Sequence, residues 1–220
     1  MKVLITGTSS GIGLAVAQRF LKEGFEVFGL DLNESSINDK NYHHYNVDIV
    51  KVNQLPDIRD INIIFNNAGL QNSNDDIENN LKGTINVTEK YGFQDSVKAI
   101  LFNASASART GQEFPYYVAS KAGVVGYMKH VAITLADQRG ITVNSISFGG
   151  VVDDLNKPVM EDKKCWEDIM KVTPFKKWTS LEEASEWVIF ITLMNKSMSG
   201  QDLLVDNGEN DLNPRFVWPK

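Results

Sequence analysis

The sequence predicts one α/β domain built on a doubly wound parallel sheet. Short runs rich in Val, Ile and Leu alternate along the 220 residues with longer segments of helical period. Several runs are apolar on both faces, as expected for parallel strands that helices cover from both sides. A glycine-rich turn joins the first run to the first helical segment. Such alternation implies right-handed crossovers between parallel strands.

Six strands are predicted from the apolar runs. They cover residues 3–6, 26–30, 61–65, 99–102, 142–146 and 202–205. Ile12, Val16 and Phe20 recur at helical spacing between the first two strands, and Gly24 stands where that helix should stop. Two more strong helices are predicted over residues 120–136 and 181–194. We find no repeat, low-complexity tract or linker in the sequence, so residues 1–220 are predicted to form one domain.

The composition disfavours several classes of protein. The 22 basic and 28 acidic residues give a net charge of −6, which argues against nucleic acid or an anionic membrane as partner. Cys165 is the only cysteine, so no internal disulfide can form and a reducing compartment is expected. The first residues, MKVLITG, contain too few consecutive apolar residues for the core of a signal peptide. No run approaches the ~20 apolar residues of a membrane span. His43 and His44 are adjacent and His130 is remote, so no metal-ligand spacing is present. A soluble cytoplasmic protein is predicted.

The glycine-rich turn, TGTSSGIG over residues 6–13, has the pattern of a phosphate-binding loop. Gly7, Gly11 and Gly13 allow a tight turn, after which the amides at the helix N-terminus can face a pyrophosphate. Any tight strand-to-helix turn can use glycines, but the position at the first such junction favours the nucleotide interpretation.

Asp31 ends the second predicted strand, eighteen residues beyond Gly13. A carboxylate there can accept hydrogen bonds from both hydroxyls of an adenosine ribose and would repel a 2′-phosphate. No Arg or Lys lies in the glycine turn or beside Asp31. NAD is therefore favoured over NADP, although Asp31 could instead be a simple turn residue at the end of a strand.

The stretch YYVASKAG places Tyr117 four residues before Lys121, so both lie on one face of a helix about one turn apart. Tyr116 is five residues from Lys121 and points elsewhere. Taken alone, this pattern is also that of an ordinary amphipathic helix.

Together these motifs resemble the short-chain dehydrogenase/reductase family, and 3-oxoacyl-ACP reductase-like members in particular. The turn is similar to the family's TGxxxGIG, and NNAG occurs at residues 66–69. NLKG at 80–83, the Tyr117/Lys121 pair, GITVN at 140–144, and GQ at 200–201 followed by DNG at 206–208 resemble the remaining motifs in their order. The resemblance implies a Rossmann fold and a dinucleotide-dependent oxidoreductase.

The resemblance assigns the catalytic roles to Asn80, Ser105, Tyr117 and Lys121. Tyr117 would be the general acid or base, and Lys121 would favour its phenolate and bond the nicotinamide ribose. Ser105 would bond the substrate oxygen, and Asn80 would hold a water that links Lys121 to solvent. The family's spacing fits Ser105 only with one residue deleted, so Ser107 is the alternative.

The resemblance also assigns the cofactor contacts, with Asp48 and Ile49 flanking the adenine. The predicted contacts are Gly7, Ser9, Ser10, Gly11, Ile12, Gly13, Asp31, Asp48, Ile49, Asn67, Ala68, Gly69, Tyr117, Lys121, Gly149, Val151 and Asp153.

The sequence departs from the family where the nicotinamide should lie. Phe148 stands where relatives have proline, and Asp153 where they have a threonine that bonds the carboxamide. An ionised Asp accepts hydrogen bonds but cannot donate them, which predicts weaker or altered nicotinamide binding. The substrate loop, near residues 153–173, is short, and its Trp166 and Met170 could line an apolar pocket or pack on the body.

The expected assembly is a homo-oligomer, either a dimer or a tetramer. Only ten residues separate Gly69 from Asn80, and Gly92 lies near the end of the short helix before the fourth strand. In relatives this helix helps to form a dimer face. The terminal residues Phe216, Val217, Trp218 and Pro219 could cover a neighbouring subunit.

The preferred interpretation is an NAD(H)-dependent oxidoreductase that interconverts a secondary alcohol and a carbonyl on a small molecule. A catalytically silent dinucleotide-binding regulatory or scaffold protein is the alternative, suggested by Phe148 and Asp153. An enoyl reductase is less consistent, because such relatives place the lysine farther from the tyrosine.

Overall fold

The computed structural model describes residues 1–210 and 212, without the side chains of residues 136–138. The residues 216–219 that were expected to cover a neighbour lie outside the described residues. The strands are β1 (Lys2–Thr6), β2 (Glu26–Asp31), β3 (Tyr42–Asn46), β4 (Ile61–Asn66), β5 (Ala99–Asn103), β6 (Thr142–Phe148), β7 (Val151–Val152), β8 (Thr179–Ser180) and β9 (Asp202–Val205).

Within residues 1–210, seven α-helices and three shorter helical turns accompany these strands. The α-helices are α1 (Gly11–Lys22), α2 (Thr84–Tyr91), α3 (Ser107–Thr110), α4 (Pro115–Arg139), α5 (Lys157–Glu161), α6 (Lys163–Val172) and α7 (Leu181–Ile189). The turns are a 3-10 turn (Val52–Gln54) and two π-helical turns, Ile77–Gly83 before α2 and Phe190–Met194 after α7. No helix among the described residues combines the length and hydropathy needed to cross a membrane.

Seven of the strands form one parallel sheet in the order β3-β2-β1-β4-β5-β6-β9. The chain starts in the middle at β1, builds outward through β2 and β3, and then crosses to β4 and the other half. This is the predicted doubly wound sheet, and its switch point lies between β1 and β4, where ligands bind in such folds. β7 and β8 form a separate two-stranded parallel ribbon.

All six predicted strands are present, but the sequence analysis missed β3. Its residues, YHHYN, are half-buried or exposed and contain no aliphatic run. β3 is an edge strand, paired only with β2, so it does not need the double-sided apolar pattern by which central strands are recognised.

The helices were placed correctly, but their ends differ from the prediction. The helix predicted over 120–136 begins earlier, at Pro115, so that Tyr117 lies in its first turn. The helix predicted over 181–194 ends as α7 at Ile189 and continues as the second π-helical turn. Ser180 caps α7, since its side chain accepts from the Glu183 amide and the Glu183 side chain accepts in return.

The core is divided by the sheet into two apolar layers. Along β1, Val3 and Ile5 face one layer and Leu4 the other, because successive side chains of a strand point to opposite faces. One layer includes Phe20 from α1 and Val188 from α7, and the other includes residues of α2 and α4. This packing fixes the start of α1 and the first turns of α4 at the carboxyl edge of the sheet.

Candidate active site

The glycine turn is held in a shape that larger residues cannot adopt. Gly7 has a φ of 75°, in the left-handed region that favours glycine. A Cβ placed on Gly13 would lie 1.9 Å from the Gly7 carbonyl oxygen. The turn therefore leaves backbone, and not side chains, in front of α1. A phosphate group can approach such a helix start closely, so the cradle fits the predicted dinucleotide.

Asp31 lies at the end of β2, directly beside this turn. Its Oδ2 accepts from the Ser9 amide at 2.9 Å, and its Oδ1 accepts from the Asn33 amide at 2.9 Å. Ser9 Oγ donates to the Asn33 carbonyl at 2.9 Å, and the His44 Nε2 bonds the same carbonyl at 2.9 Å. These bonds hold the carboxylate next to the turn, where the sequence predicts the adenosine ribose.

The NNAG segment closes the other side of the turn. Thr6 Oγ1 accepts from the amides of Asn67 and Ala68, at 2.9 Å each. Asn67 Nδ2 donates to the Thr6 carbonyl at 3.1 Å, and Asn67 Oδ1 accepts from Asn103 Nδ2 at 2.9 Å. The ends of β1, β4 and β5 are thus tied into one rigid frame.

The side chains of Asp48 and Ile49 both make contacts with nearby residues of the protein. The Asp48 Oδ1 accepts from the Val50 amide at 3.0 Å, and its Oδ2 pairs with Lys51 Nζ at 3.3 Å. Ile49 is 7% exposed, and a Cβ placed on Gly83 would contact its Cδ1 at 2.7 Å. The Ile49 side chain is therefore part of the core.

Tyr117 and Lys121 lie beside each other on α4, as their spacing predicts. The Lys121 Nζ is 5.7 Å from the centroid of the Tyr117 ring. Lys121 is 5% exposed and donates to the Asn103 carbonyl at 2.8 Å. Burial lowers the pKa of Lys121 to about 8, while the charge of Asp76 acts to raise it.

The phenol of Tyr117 is strongly affected by burial, which raises its pKa to about 12. A hydrogen bond with Ser105 lowers this pKa, and the charges of Glu113, Asp76 and Asp153 raise it further. Desolvation is the largest of these effects, and with a pKa of about 12 the phenol is protonated near neutral pH. The expected effect of Lys121 on the phenolate stays a prediction.

Ser105 and Ser107 are both buried, and they bond each other. The Ser107 Oγ donates to Ser105 Oγ at 2.8 Å, and the Ser107 amide donates to the same atom at 3.2 Å. Ser105 is the member that hydrogen-bonds Tyr117. The geometry brings Ser105 to the phenol and leaves Ser107 behind it as a support.

Asn80 lies in the first π-helical turn and is 1% exposed. Its Nδ2 donates to the Leu70 carbonyl at 2.9 Å and to Ser120 Oγ at 3.0 Å, while its Oδ1 accepts from the Leu70 amide at 2.6 Å. A Cβ placed on Gly69 would lie 2.9 Å from Asn80 Oδ1 and 3.5 Å from Lys121 Nζ. Asn80 and Lys121 therefore converge on Gly69 without a direct bond between them.

Phe148, which replaces the family's proline, is a core residue. It is 5% exposed at the end of β6, and its carbonyl accepts from the Ala106 amide at 2.9 Å. Gly149 packs against Asp206, where an added Cβ would lie 2.7 Å from Asp206 Cβ. Val151 is buried in β7 and pairs with Thr179 of β8. This segment is thus set by packing.

Asp153 reaches the glycine turn itself. A Cβ placed on Gly11 would lie 3.6 Å from Asp153 Oδ2, while Asp153 Oδ1 accepts from the Asn156 amide at 3.1 Å. Burial raises the pKa of Asp153, and the charge of Asp154 adds to this. A carboxylate beside the phosphate cradle is the one feature of the site that does not suit a dinucleotide when it is ionised.

Sequence reasoning missed three residues that act on Tyr117 or Lys121, namely Asp76, Asn103 and Glu113. It also missed Trp178, which packs against Gly150. Asn103 was missed because it acts through its carbonyl, which every residue has. A Cβ placed on Gly150 would lie 2.0 Å from the Trp178 ring, so only glycine leaves room for the ring at this position. Glu113 has an unusual positive φ of 81°, which no sequence motif predicts.

Among the described residues, no group of three or more His, Cys, Asp or Glu could hold a metal ion.

Comparisons with known proteins agree with this geometry. Residues 1–164 match the model of the short chain dehydrogenase family. The chain is 27% identical over 239 residues to a 3-oxoacyl-[acyl-carrier-protein] reductase, FabG, of Staphylococcus epidermidis, covering 93% of this chain and 97% of that protein. It is 27% identical over 237 residues to 2-dehydro-3-deoxy-D-gluconate 5-dehydrogenase of Bacillus subtilis, covering 93% and 92%.

A solved structure shows the same fold at lower identity. The ligand-free aldohexose dehydrogenase of Thermoplasma acidophilum superposes with a TM-score of 0.84 at 22% identity, covering 100% of this chain and 97% of that one. The family match spans well over half of the sequence and includes the glycine turn, NNAG and the Tyr117/Lys121 pair. The chain therefore belongs to the short chain dehydrogenase family, whose members are oxidoreductases that use a nicotinamide dinucleotide.

Proposed function

We propose that this protein is an NAD(H)-dependent oxidoreductase that interconverts a secondary alcohol and a carbonyl on a small molecule. The observation that carries the proposal is the position of Tyr117. Its phenol is hydrogen-bonded by Ser105 and lies beside the buried ammonium of Lys121, at the edge of the sheet where the glycine turn opens. Nicotinamide dinucleotide, when bound, supplies or accepts the hydride.

In this proposal Tyr117 donates the proton to the carbonyl oxygen, and Ser105 orients that oxygen through a hydrogen bond. Lys121 donates to the Asn103 carbonyl, and its ammonium places a positive charge next to the phenol. Asn80, whose side chain bonds the Leu70 backbone, would hold a water that links Lys121 to solvent. Because the pKa of Tyr117 is raised to about 12, the phenol carries its proton near neutral pH, as the proton donor of carbonyl reduction must.

The cofactor we propose is NAD(H). The glycine turn from Gly7 to Gly13 would hold the diphosphate. The Asp31 carboxylate, fixed by the Ser9 and Asn33 amides, would accept from the ribose hydroxyls and repel a 2′-phosphate. The remaining predicted contacts would lie along the NNAG segment and the segment after β6.

The charges around Tyr117 favour a neutral or cationic substrate over an anionic one. Glu113, Asp76 and Asp153 all act on the phenol, and Glu113 also interacts with Glu209. Burial raises the pKa of both glutamates, so each can also donate a hydrogen bond when protonated. Hydroxyl or amino groups on the substrate would suit these acceptors and donors.

The alternative is a dinucleotide-binding protein without turnover, and the observation that favours it is Asp153 beside Gly11. An ionised carboxylate there would disfavour the diphosphate. The hydrogen bond between Ser105 and Tyr117 and the approach of Asn80 and Lys121 to Gly69 favour the enzyme.

We further propose a cytoplasmic homo-oligomer, with a dimer or tetramer as the expected state. Trp187, Phe190 and Met194 lie on one side of α7 and the turn that follows, and they are 41%, 46% and 66% exposed. Apolar side chains at this spacing form a stripe that a second copy could cover. Sedimentation at micromolar concentration checks this, and a strict monomer would contradict it.

The experiment that tests the function is a turnover screen. Purified protein is incubated with NADH or NADPH and a panel of neutral, cationic and anionic carbonyl compounds, and nicotinamide oxidation is followed. We expect turnover with NADH and a neutral or cationic carbonyl. Tight NADH binding without turnover of any compound would instead support the binding protein.

A further inference from the structure

One buried carboxylate that acts on both Tyr117 and Lys121 has been given no contact with substrate or cofactor above. Asp76 immediately precedes the π-helical turn Ile77–Gly83 and has no exposed surface. Its Oδ1 accepts from the Ser73 amide at 3.2 Å, but its Oδ2 has no hydrogen-bond partner. A buried ionisable oxygen without a partner is costly, so its retention calls for a physical reason.

The position of Asp76 relative to Asn80 gives that reason. The two residues are four apart on one helical segment, so they lie on the same side about one turn from each other. Asn80 Oδ1 and Lys121 Nζ both lie close to Gly69. The charge of the Asp76 carboxylate also acts on both Lys121 and Tyr117.

We propose that Asp76 is a positioning residue whose buried negative charge keeps the Lys121 ammonium charged and the Tyr117 phenol protonated. An unpaired charge in a poorly solvated place acts strongly on its neighbours, since little water screens it. The pKa values of both neighbours respond upward to Asp76. The other charged groups that act on Tyr117 are Glu113, from the loop before α4, and Asp153, from the segment after β7. Among the groups acting on Lys121, Asp76 is the charge that opposes burial.

The test uses NADH affinity as a function of pH, so it needs no substrate. The inference rests on the proposed function only in that Lys121 bonds the cofactor. Calorimetric titration of the full-length protein between about pH 6 and pH 10 should show affinity falling as Lys121 loses its proton, with a midpoint near its pKa of about 8. Lys121→Arg should abolish this midpoint, because an arginine stays charged throughout.

Asp76→Asn removes the charge and keeps an oxygen for the Ser73 amide. The midpoint should move about one pH unit lower, because the ammonium has lost its counter-charge. Asp75→Asn is the matched control, since it removes the same charge from the exposed neighbouring residue and should leave the midpoint in place. On a confirmed substrate, the pH limb of alcohol oxidation should move in the same direction for Asp76→Asn only.

The outcomes separate this inference from the proposed function. A midpoint that Lys121→Arg removes but Asp76→Asn leaves unmoved would overturn the role of Asp76 alone. An equal shift from Asp75→Asn would do the same, since it would mean a general charge effect. Failure of every form to bind NADH would overturn the proposed function and this inference with it. Should Asp76→Asn not fold, Asp76→Ser takes its place with the same expectation.

Discussion

The glycine turn and the Tyr117 region lie at the same edge of the sheet, but the first is formed by backbone groups and the second by side chains. The turn presents backbone groups, and its residues matter mainly for the side chains they lack, as with Gly13 against the Gly7 carbonyl. The Tyr117 region consists of buried and half-buried side chains whose charges act on one another, including Lys121, Asp76 and Asp153.

This difference decides what each region tolerates. At Gly13, adding a single methyl group is disruptive because the Gly7 carbonyl oxygen already occupies the space. Around Tyr117, removing one oxygen or one charge leaves the packing intact and alters the chemistry. Changes in the two regions should therefore affect binding and turnover separately, and the predictions below use that separation.

The largest effect is expected from Tyr117→Phe. Turnover on a confirmed substrate should fall by about 10²–10⁴-fold, the usual contribution of a positioned proton donor. NADH affinity should change little, because the glycine turn is untouched. Steady-state kinetics and calorimetric titration measure the two quantities.

Tyr116→Phe is the matched control, since its ring is 52% exposed and lies outside the Tyr117 cluster. It should be nearly silent. Full activity of Tyr117→Phe, or a greater loss from Tyr116→Phe, would mean that the proton donor has been misassigned.

The next largest effect is expected from Gly13→Ala, in the opposite region. The new Cβ would lie 1.9 Å from the Gly7 carbonyl oxygen, so the turn must shift. Overpacking of this kind costs about 1–3 kcal/mol, and we expect NADH affinity to fall by about 10–100-fold. The melting temperature should fall as well.

Gly126→Ala provides the control for a glycine inside α4. Nothing lies within 4 Å of the added Cβ, and alanine favours a helix. This change should leave NADH affinity unaltered and stability equal or slightly higher. Unchanged NADH binding by Gly13→Ala would show that the turn does not hold the diphosphate.

A smaller effect is expected from Asp31→Ala, on cofactor preference. We expect NADH to bind at least about tenfold tighter than NADPH, a difference of roughly 1.4 kcal/mol. Asp31→Ala removes the carboxylate that accepts from the Ser9 amide, so the difference between NADH and NADPH affinity should become smaller. Calorimetry with both cofactors measures it, and equal or tighter NADPH binding by the unmodified protein would refute the NAD assignment.

The smallest effect is expected from Asp153→Thr, where the two regions meet. Removing an ionised carboxylate beside Gly11 should tighten NADH binding by about three- to tenfold at mildly alkaline pH. Because the Asp153 pKa is raised, the carboxyl becomes neutral on acidification at a higher pH than an ordinary Asp. The advantage of the variant should therefore shrink as pH falls.

Asp154→Thr is the control for a neighbouring carboxylate, because Asp154 is largely exposed and pairs with Lys157. It should have little effect on NADH affinity at any pH. A gain from Asp153→Thr that does not depend on pH would point to a steric cause in place of a charge effect.

The sequence by itself predicted the doubly wound class of the sheet, six of its strands, the glycine turn and the Tyr117/Lys121 spacing on one helix. These features are local, because the patterns of strands, turns and helices depend on neighbouring residues. A spacing of four residues likewise places two side chains on one face of a helix. The edge strand β3 escaped because a strand buried on few sides needs no apolar run.

Only the tertiary structure decided the electrostatics of the site. Asp76, Asn103 and Asp153 are brought to the site by the π-helical turn, the end of β5 and the segment after β7, far apart along the chain. Whether a carboxylate raises or lowers a neighbour's pKa depends on its distance and burial, which no short motif encodes. The sequence therefore predicts which residues react, whereas long-range packing sets the charge states in which they do so.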